Sequence, residues 1–260
     1  MNPLLQSVLQ RPDVWQASQP GQQVYDSLPS GHQPLDKALH YRGWPRSSLI
    51  ELCTSQSGVG EMELLLPGLA ACCDKPGWLF FIAPPYLPFP PALWVRGIDP
   101  ARLLIAAPDR PDDILWAAEQ ALLSGACVAV VAWLPRRGLR YPHLRRLQLA
   151  CRRGDVPGFF FRPSLAIQER SPATVRLYLQ AQQQGLKITI NKQPGGHAGQ
   201  TVTIARDASL LRRKIPSVSL PSLTSVDLYT GTPFVTAGVD ACAPARPILP
   251  YKAHQIASKQ

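Results

Sequence analysis

The feature that most constrains this chain is an alternation, between residues 48 and 163, of short runs dominated by apolar residues with longer stretches of helical pattern. The runs are SLIELC (48–53), WLFFIA (78–83), LLIAAP (103–108), CVAVVAWL (127–134) and PGFFFRP (157–163). Helical patterns lie between them at 61–73, 90–96, 111–124 and 141–153. A strand covered on both faces reads as a near-continuous apolar run, whereas a strand with one wet face alternates. The order therefore predicts an α/β fold, a mostly parallel sheet flanked by helices. The third helix carries the clearest local signals. Asp112 and Asp113 stand at its positive end, and Gly125 stands just past its last turn, where left-handed backbone closes a helix. After Pro163 the pattern changes: TVRLYLQAQ, LKITINK and TVTIARD alternate apolar with polar residues, which predicts antiparallel strands at the sheet edge. The last two are joined by the Gly-containing loop QPGGHAGQ.

The two ends read differently. Residues 1–29 are polar, with Pro and Gly at irregular spacing and one short helical stretch from Pro3 to Leu9, and are expected to form a mobile arm. Residues 30–206 form the expected core, and residues 207–260 a basic tail rich in Pro, Ser and Thr. Such a composition predicts a disordered segment open to ordering on a partner. Apolar runs stop well short of the roughly 18 residues a membrane helix needs, so no membrane association is expected. The start, MNPLLQSVLQRPDVW, lacks a basic leader and a cleavage site, which predicts a cytoplasmic protein. The six cysteines include no C-x-x-C pair and read as reduced and structural. The five histidines are scattered without the spacing a zinc site needs, so neither metal nor cofactor is expected.

In a fold of this kind chemistry belongs at the turn between the first strand and its helix, SLIELC-TSQSGVG-EMELLLPGLA. Backbone N–H groups at a helix start cradle phosphate there. Set against G-x-x-x-x-G-K-[ST], the segment retains only Gly60. Ser55 stands for the first Gly, Glu61 for the Lys and Met62 for the magnesium-binding hydroxyl. A carboxylate about 4 Å from a phosphate charge would repel it by roughly 4 kcal/mol at an effective dielectric of about 20. The strand that would supply a metal-binding carboxylate ends in Trp133 and Leu134, and the one that would supply a general base ends in Ala83-Pro84-Pro85. Either the loop is a degenerate P-loop or it never was a nucleotide site; both readings predict no catalysis.

These residues carry a resemblance. PSGHQPLDKALHYRGWPRSSLIEL (29–52), RGIDPARLLIAAP (96–108), ALLSGACVAVVAWL (121–134) and PGFFFRP keep the order and spacing of RecA-type cores. LLLPGLA, Gly77-Trp78, APPYLP, SGACVAVVAWLP, LRRLQLA and FFFRP together resemble the ImuA family of RecA-like proteins and the related cell-division inhibitor SulA, over about residues 29–206. The stretch at 29–52 and the long basic C-terminal part fit ImuA better. That resemblance implies a RecA-like fold without ATPase activity and a role in SOS-induced, error-prone translesion DNA synthesis. The implied partners are an inactive Y-family polymerase of the ImuB type, RecA and possibly DNA. The SulA alternative implies an inhibitor of FtsZ polymerisation, with Trp94 and Arg102 at the FtsZ-facing positions; the basic residue expected before Trp78 is replaced by Gly77.

Lys and Arg outnumber Asp and Glu by 27 to 17, a formal charge of +10, which favours polyanions or acidic surfaces without choosing between them. The strongest local signal is Arg136, Arg137, Arg140, Arg145, Arg146, Arg152 and Arg153, with no acid among them. On a helix Leu144, Leu147 and Cys151 share one face, while Arg145 with Arg152 and Arg146 with Arg153 share the other with Leu149. The basic face is a candidate for DNA phosphates or an acidic partner, a solvated surface being the plainer alternative. Of Trp44, Trp78, Trp94, Trp116 and Trp133, four fall in or beside expected core elements and read as packing residues. The Pro-rich APPYLPFPPALW (83–94) reads as an exposed recognition loop or a rigid crossover.

Overall fold

The structure is a computed structural model and describes residues 26–183, 185–195 and 198–205. The tail 207–260, and all of the arm before Asp26, lie outside the described residues. Among the described residues there are ten strands: β1 Ser27–Leu28, β2 Trp44–Pro45, β3 Leu49–Thr54, β4 Trp78–Ile82, β5 Leu103–Ala106, β6 Cys127–Trp133, β7 Gly158–Pro163, β8 Val175–Gln182, β9 Gly185–Lys192 and β10 Gln200–Ala205. The α-helices are α1 Gln33–Ala38, α2 Glu61–Cys72, α3 Pro90–Val95, α4 Pro111–Leu123 and α5 Tyr141–Gly154.

Eight strands form one sheet in the order β10-β9-β8-β3-β7-β6-β4-β5. The six from β8 to β5 run parallel, and β9 and β10 extend the edge antiparallel. This is a mixed α/β fold with a mostly parallel sheet flanked by helices, as the alternation of apolar runs predicts. One core lies on the α2 face, where Ile50, Leu52, Phe81, Phe159 and Phe161 meet Leu64, Leu65 and Leu69. The other lies on the α4 and α5 face, where Leu49, Val130 and Phe160 meet Leu122, Leu144 and Leu147. Gly125 has the left-handed backbone expected past α4, with φ of 67°.

Two local details fix α2, the helix that leaves the candidate site. Pro67 lies inside it and cannot donate to the carbonyl of Glu63 one turn earlier. The His32 ring nitrogen stands 3.3 Å from that carbonyl, so the acceptor is not orphaned. Gly68 lets the helix approach Trp44: a Cβ there would lie 2.9 Å from the indole.

Three expectations need correction. The arm does not extend to residue 29, because β1 pairs antiparallel with β2 and Leu28 is buried. α1 and β2 were not predicted; at six and two residues they are too short to show periodicity. β8 is antiparallel only to β9 and runs parallel beside β3. Its alternation reflects two different covers. Val175, Leu177 and Leu179 enter the core, while Arg176 faces the short 3-10 stretch Ser164–Gln168.

Candidate functional site

The turn from β3 to α2 has the form of an anion cradle, and its anion is supplied from within. Gly58 and Gly60 take left-handed backbone, with φ of 84° and 104°, which turns their N–H groups toward the helix start. Glu61 Oε1 accepts from Gly58 N at 2.8 Å, and Oε2 accepts from Gly60 N at 3.1 Å. The carboxylate is buried, with 5% of the residue exposed. This corrects the picture of Glu61 as a charge aimed at an incoming phosphate. It occupies the donors themselves, and it lies at the positive end of α2, where a carboxylate is favoured. Of the other turn residues, Ser55 is exposed and Met62 is half-buried.

Next to the cradle lies a cleft of about 400 Å³ at the C-terminal ends of the strands. Its walls include Glu61, Met62, Phe81, Tyr86, Phe89 and Trp133. Trp133 stacks on Phe161 at 4.8 Å between ring centroids and meets Phe81 edge-on at 5.9 Å. The position that a metal-binding acid would take is thus filled by an aromatic stack. The walls offer two carboxylates and no cation: Glu61 is committed to backbone amides, and Glu63 lies 3.8 Å from the Arg96 guanidinium. The Pro-rich segment leaves Tyr86, Leu87 and Phe89 exposed on the rim.

The arginines are divided by the structure. Arg136, Arg137 and Arg140 are exposed on the segment leading from β6 into α5, and Arg145, Arg152 and Arg153 are exposed on the helix itself. Leu144, Leu147 and Cys151 are buried as predicted, and Leu149 is half-buried. Arg146 is exposed as well, and Glu119 of α4 holds its guanidinium with Nε 3.2 Å from Oε1. Its partner is distant in sequence, so the arginine-rich segment gave no sign of it. Arg152 and Arg153 lie in the last turn of α5, where cations also relieve the negative helix end.

The tryptophans are corrected too. Trp44 is fully buried and Trp133 partly so, but Trp78, Trp94 and Trp116 are 40%, 52% and 63% exposed. Arg102, one of the two positions suggested by SulA, turns inward. Its guanidinium donates to the carbonyls of Gly77, Cys73 and Lys75, with Nε 3.1 Å from that of Gly77.

Sequence reasoning missed a buried charge cluster beside the site. Glu51 in β3 is 0% exposed; Arg176 Nε donates to its Oε2 at 2.6 Å and Arg162 Nη1 to its Oε1 at 3.2 Å. Arg162 Nη2 reaches Glu169 at 2.6 Å, and Arg176 Nη1 donates to the carbonyls of Ile167 and Glu169. The available signal was a charge interrupting an apolar strand at each position: Glu51 in SLIELC, Arg162 in PGFFFRP and Arg176 in TVRLYLQ. Buried charges require partners, so three such interruptions on neighbouring strands point to one another.

Part of this chain is similar to RecA. RecA of Francisella tularensis subsp. novicida (strain U112) and of subsp. holarctica (strain LVS) are each 30% identical to it over 106 residues, 41% of this chain. The match covers 29% of each RecA, so the chain spans less than a third of the length of these relatives. No family model matches. The mostly parallel sheet and the β3–turn–α2 unit are consistent with that distant relationship. Among the described residues no helix is long and apolar enough to cross a membrane.

Proposed function

We propose that this chain is a non-catalytic accessory protein of SOS-induced, error-prone translesion DNA synthesis. It acts as an adaptor whose RecA-like core engages an inactive Y-family polymerase of the ImuB type, RecA or DNA. The observation that carries the non-catalytic half is the Glu61 carboxylate seated on the amides of Gly58 and Gly60. An NTPase needs those donors for phosphate, a lysine at position 61 and a metal-binding hydroxyl at position 62. The adaptor half rests on the ImuA resemblance and on the exposed cations Arg145, Arg152 and Arg153. The SulA-type reading is weakened, because the basic residue it needs beside Trp94 is tied to three backbone carbonyls.

The test is a pull-down of the purified chain against the Y-family polymerase, RecA and FtsZ of the same organism, alongside a version truncated after residue 206. Capture of polymerase or RecA is the expected result; loss on truncation assigns the contact to the tail, and retention assigns it to the RecA-like core. Capture of FtsZ alone would replace the adaptor with an inhibitor of division.

A further inference from the structure

We propose that the strip where α4 and α5 lie side by side is a docking surface for an amphipathic acidic helix of a partner protein. The two helices cover the same face of the sheet and run in the same direction. Their C-terminal ends touch: a Cβ on Gly154 would lie 1.7 Å from the Leu122 carbonyl oxygen. Nearer their starts a pocket of about 180 Å³ opens between them, lined by Leu115, Trp116, Glu119, His143, Arg146 and Leu147 among others.

The residues left uncovered along this strip repeat with the helical period. Trp116 and Leu123 are seven apart on α4 and are 63% and 42% exposed. Arg146 and Arg153 are seven apart on α5 and exposed, with half-buried Leu149 between them. Seven residues are close to two turns, about 10 Å of rise, so each pair stands on one side of its helix. Trp116 and Arg146 share the pocket, and Leu123 adjoins the contact of Leu122 with Gly154, one residue beyond Arg153. An apolar side chain thus stands beside an arginine twice, one heptad apart. Apolar residues exposed singly need no partner, but a tryptophan and a leucine in line with a row of arginines have the composition of an interface. Charge decides the kind of partner. Glu119 is spent on Arg146, whose side chain is still 65% exposed, and the other acid of the pocket is Asp112. Among the described residues no acid pairs with Arg153, and Arg145 and Arg152 add exposed cations on α5. The excess of cations calls for carboxylates, and two apolar anchors at heptad spacing call for a helix with apolar residues at the same spacing. Nucleic acid would use the arginines and leave Leu123 and Leu149 without a contact. The partner's identity rests on the adaptor reading; the surface does not.

The test uses the full chain and a synthetic peptide of about 20 residues, long enough to hold a helix in water, with leucine at heptad positions and glutamate beside them. A twin peptide carries lysine for each glutamate. Fluorescence anisotropy of the labelled peptides should show saturable binding of the acidic one and none of the twin. Binding should weaken about tenfold or more in Trp116→Ala and in Arg153→Ala, and stay unchanged in Arg137→Ala, which removes the same charge outside the strip. No saturable binding, equal binding of the twin, or equal losses in Arg137→Ala and Arg153→Ala would overturn the proposal, the last because it marks diffuse attraction. Two further results would also overturn it by reassigning the strip. A single-stranded oligodeoxynucleotide whose binding falls about tenfold in Trp116→Ala makes nucleic acid the occupant, and a dimer in sedimentation that Trp116→Ala disperses makes it a second copy. Peptide binding by a chain that captures neither polymerase nor RecA would leave the surface standing and remove the adaptor reading.

Discussion

Glu51 and Glu61 are ten residues apart, on the same strand–turn–helix unit, and both are buried, yet they are held in opposite ways. Glu51 lies within the sheet between two guanidinium groups. Glu61 lies past the C-terminal end of β3 with two backbone amides and, among the described residues, no cation within bonding distance. The first is an ion cluster, whose members depend on one another. The second is a cap, in which a side chain satisfies donors that a helix start leaves open. The lesson is that a charge at a motif position acts through what it touches. Glu61 occupies the site that its charge alone would only have repelled.

The largest effect expected from this contrast is at Glu51. Glu51→Ala strands Arg162 and Arg176 in the interior and should destabilise the fold by about 3–5 kcal/mol, measured by denaturant unfolding. A loss below about 1 kcal/mol would break the comparison, since it would make the cluster no stronger than a surface pair. Alkaline pH probes the same strand. Burial, and secondarily the Glu51 charge, push the Cys53 thiol up to about 12, and burial does the same at Cys72. A folded value above the unfolded one means that stability is full below the ordinary thiol range near 9 and is lost as pH rises toward about 12. Unfolding curves between those limits check the sign, and both thiols should resist alkylation in the native protein.

Glu61→Ala should cost less, about 1–2 kcal/mol, because the freed amides of Gly58 and Gly60 regain water. Hydrogen exchange should quicken at those two amides while the β3 amides stay protected. A loss equal to that at Glu51 would mean that the turn is part of the same cooperative cluster. Smaller again is Arg146→Ala, which removes a pair exposed on its arginine side with Glu119 and should change stability by about 0.2–1 kcal/mol. Reversing Arg145, Arg152 and Arg153 to Glu should leave the protein folded, at a cost of about 0.3–1 kcal/mol for each of the two cations lost from the last turn of α5. It should nevertheless abolish salt-sensitive DNA binding, read by titration at two salt concentrations.

The parallel body was legible because β3, β4, β6 and β7 are covered on both faces and so read as unbroken apolar runs. β8 was misread in orientation because its polar face is covered by arginine and a short 3-10 stretch, which produces the same alternation as a wet antiparallel strand. β1, β2 and α1 are too short to leave a period, so the sequence alone does not show that the ordered fold begins before residue 29, where Leu28 is buried. At the site, loss of the P-loop residues was plain from the sequence. The seat of Glu61 was not, because it depends on left-handed backbone at Gly58 and Gly60. Nor was the Arg146–Glu119 pair, which the packing of α4 on α5 creates from residues 27 apart. The tryptophans on apolar helices misled for a related reason: periodicity places a residue near the core but does not say which edge of the helix is left bare at Trp94 and Trp116.

The central claim is that the turn before α2 is closed to nucleotide because its amides already hold Glu61. It is tested most directly by titrating the magnesium complex of ATP into the full-length protein by calorimetry, with phosphate release followed in parallel. The account predicts no saturable nucleotide binding and no release above the spontaneous rate. Saturable binding with turnover would contradict it, since the amides of Gly58 and Gly60 would then have to exchange Glu61 for a phosphate.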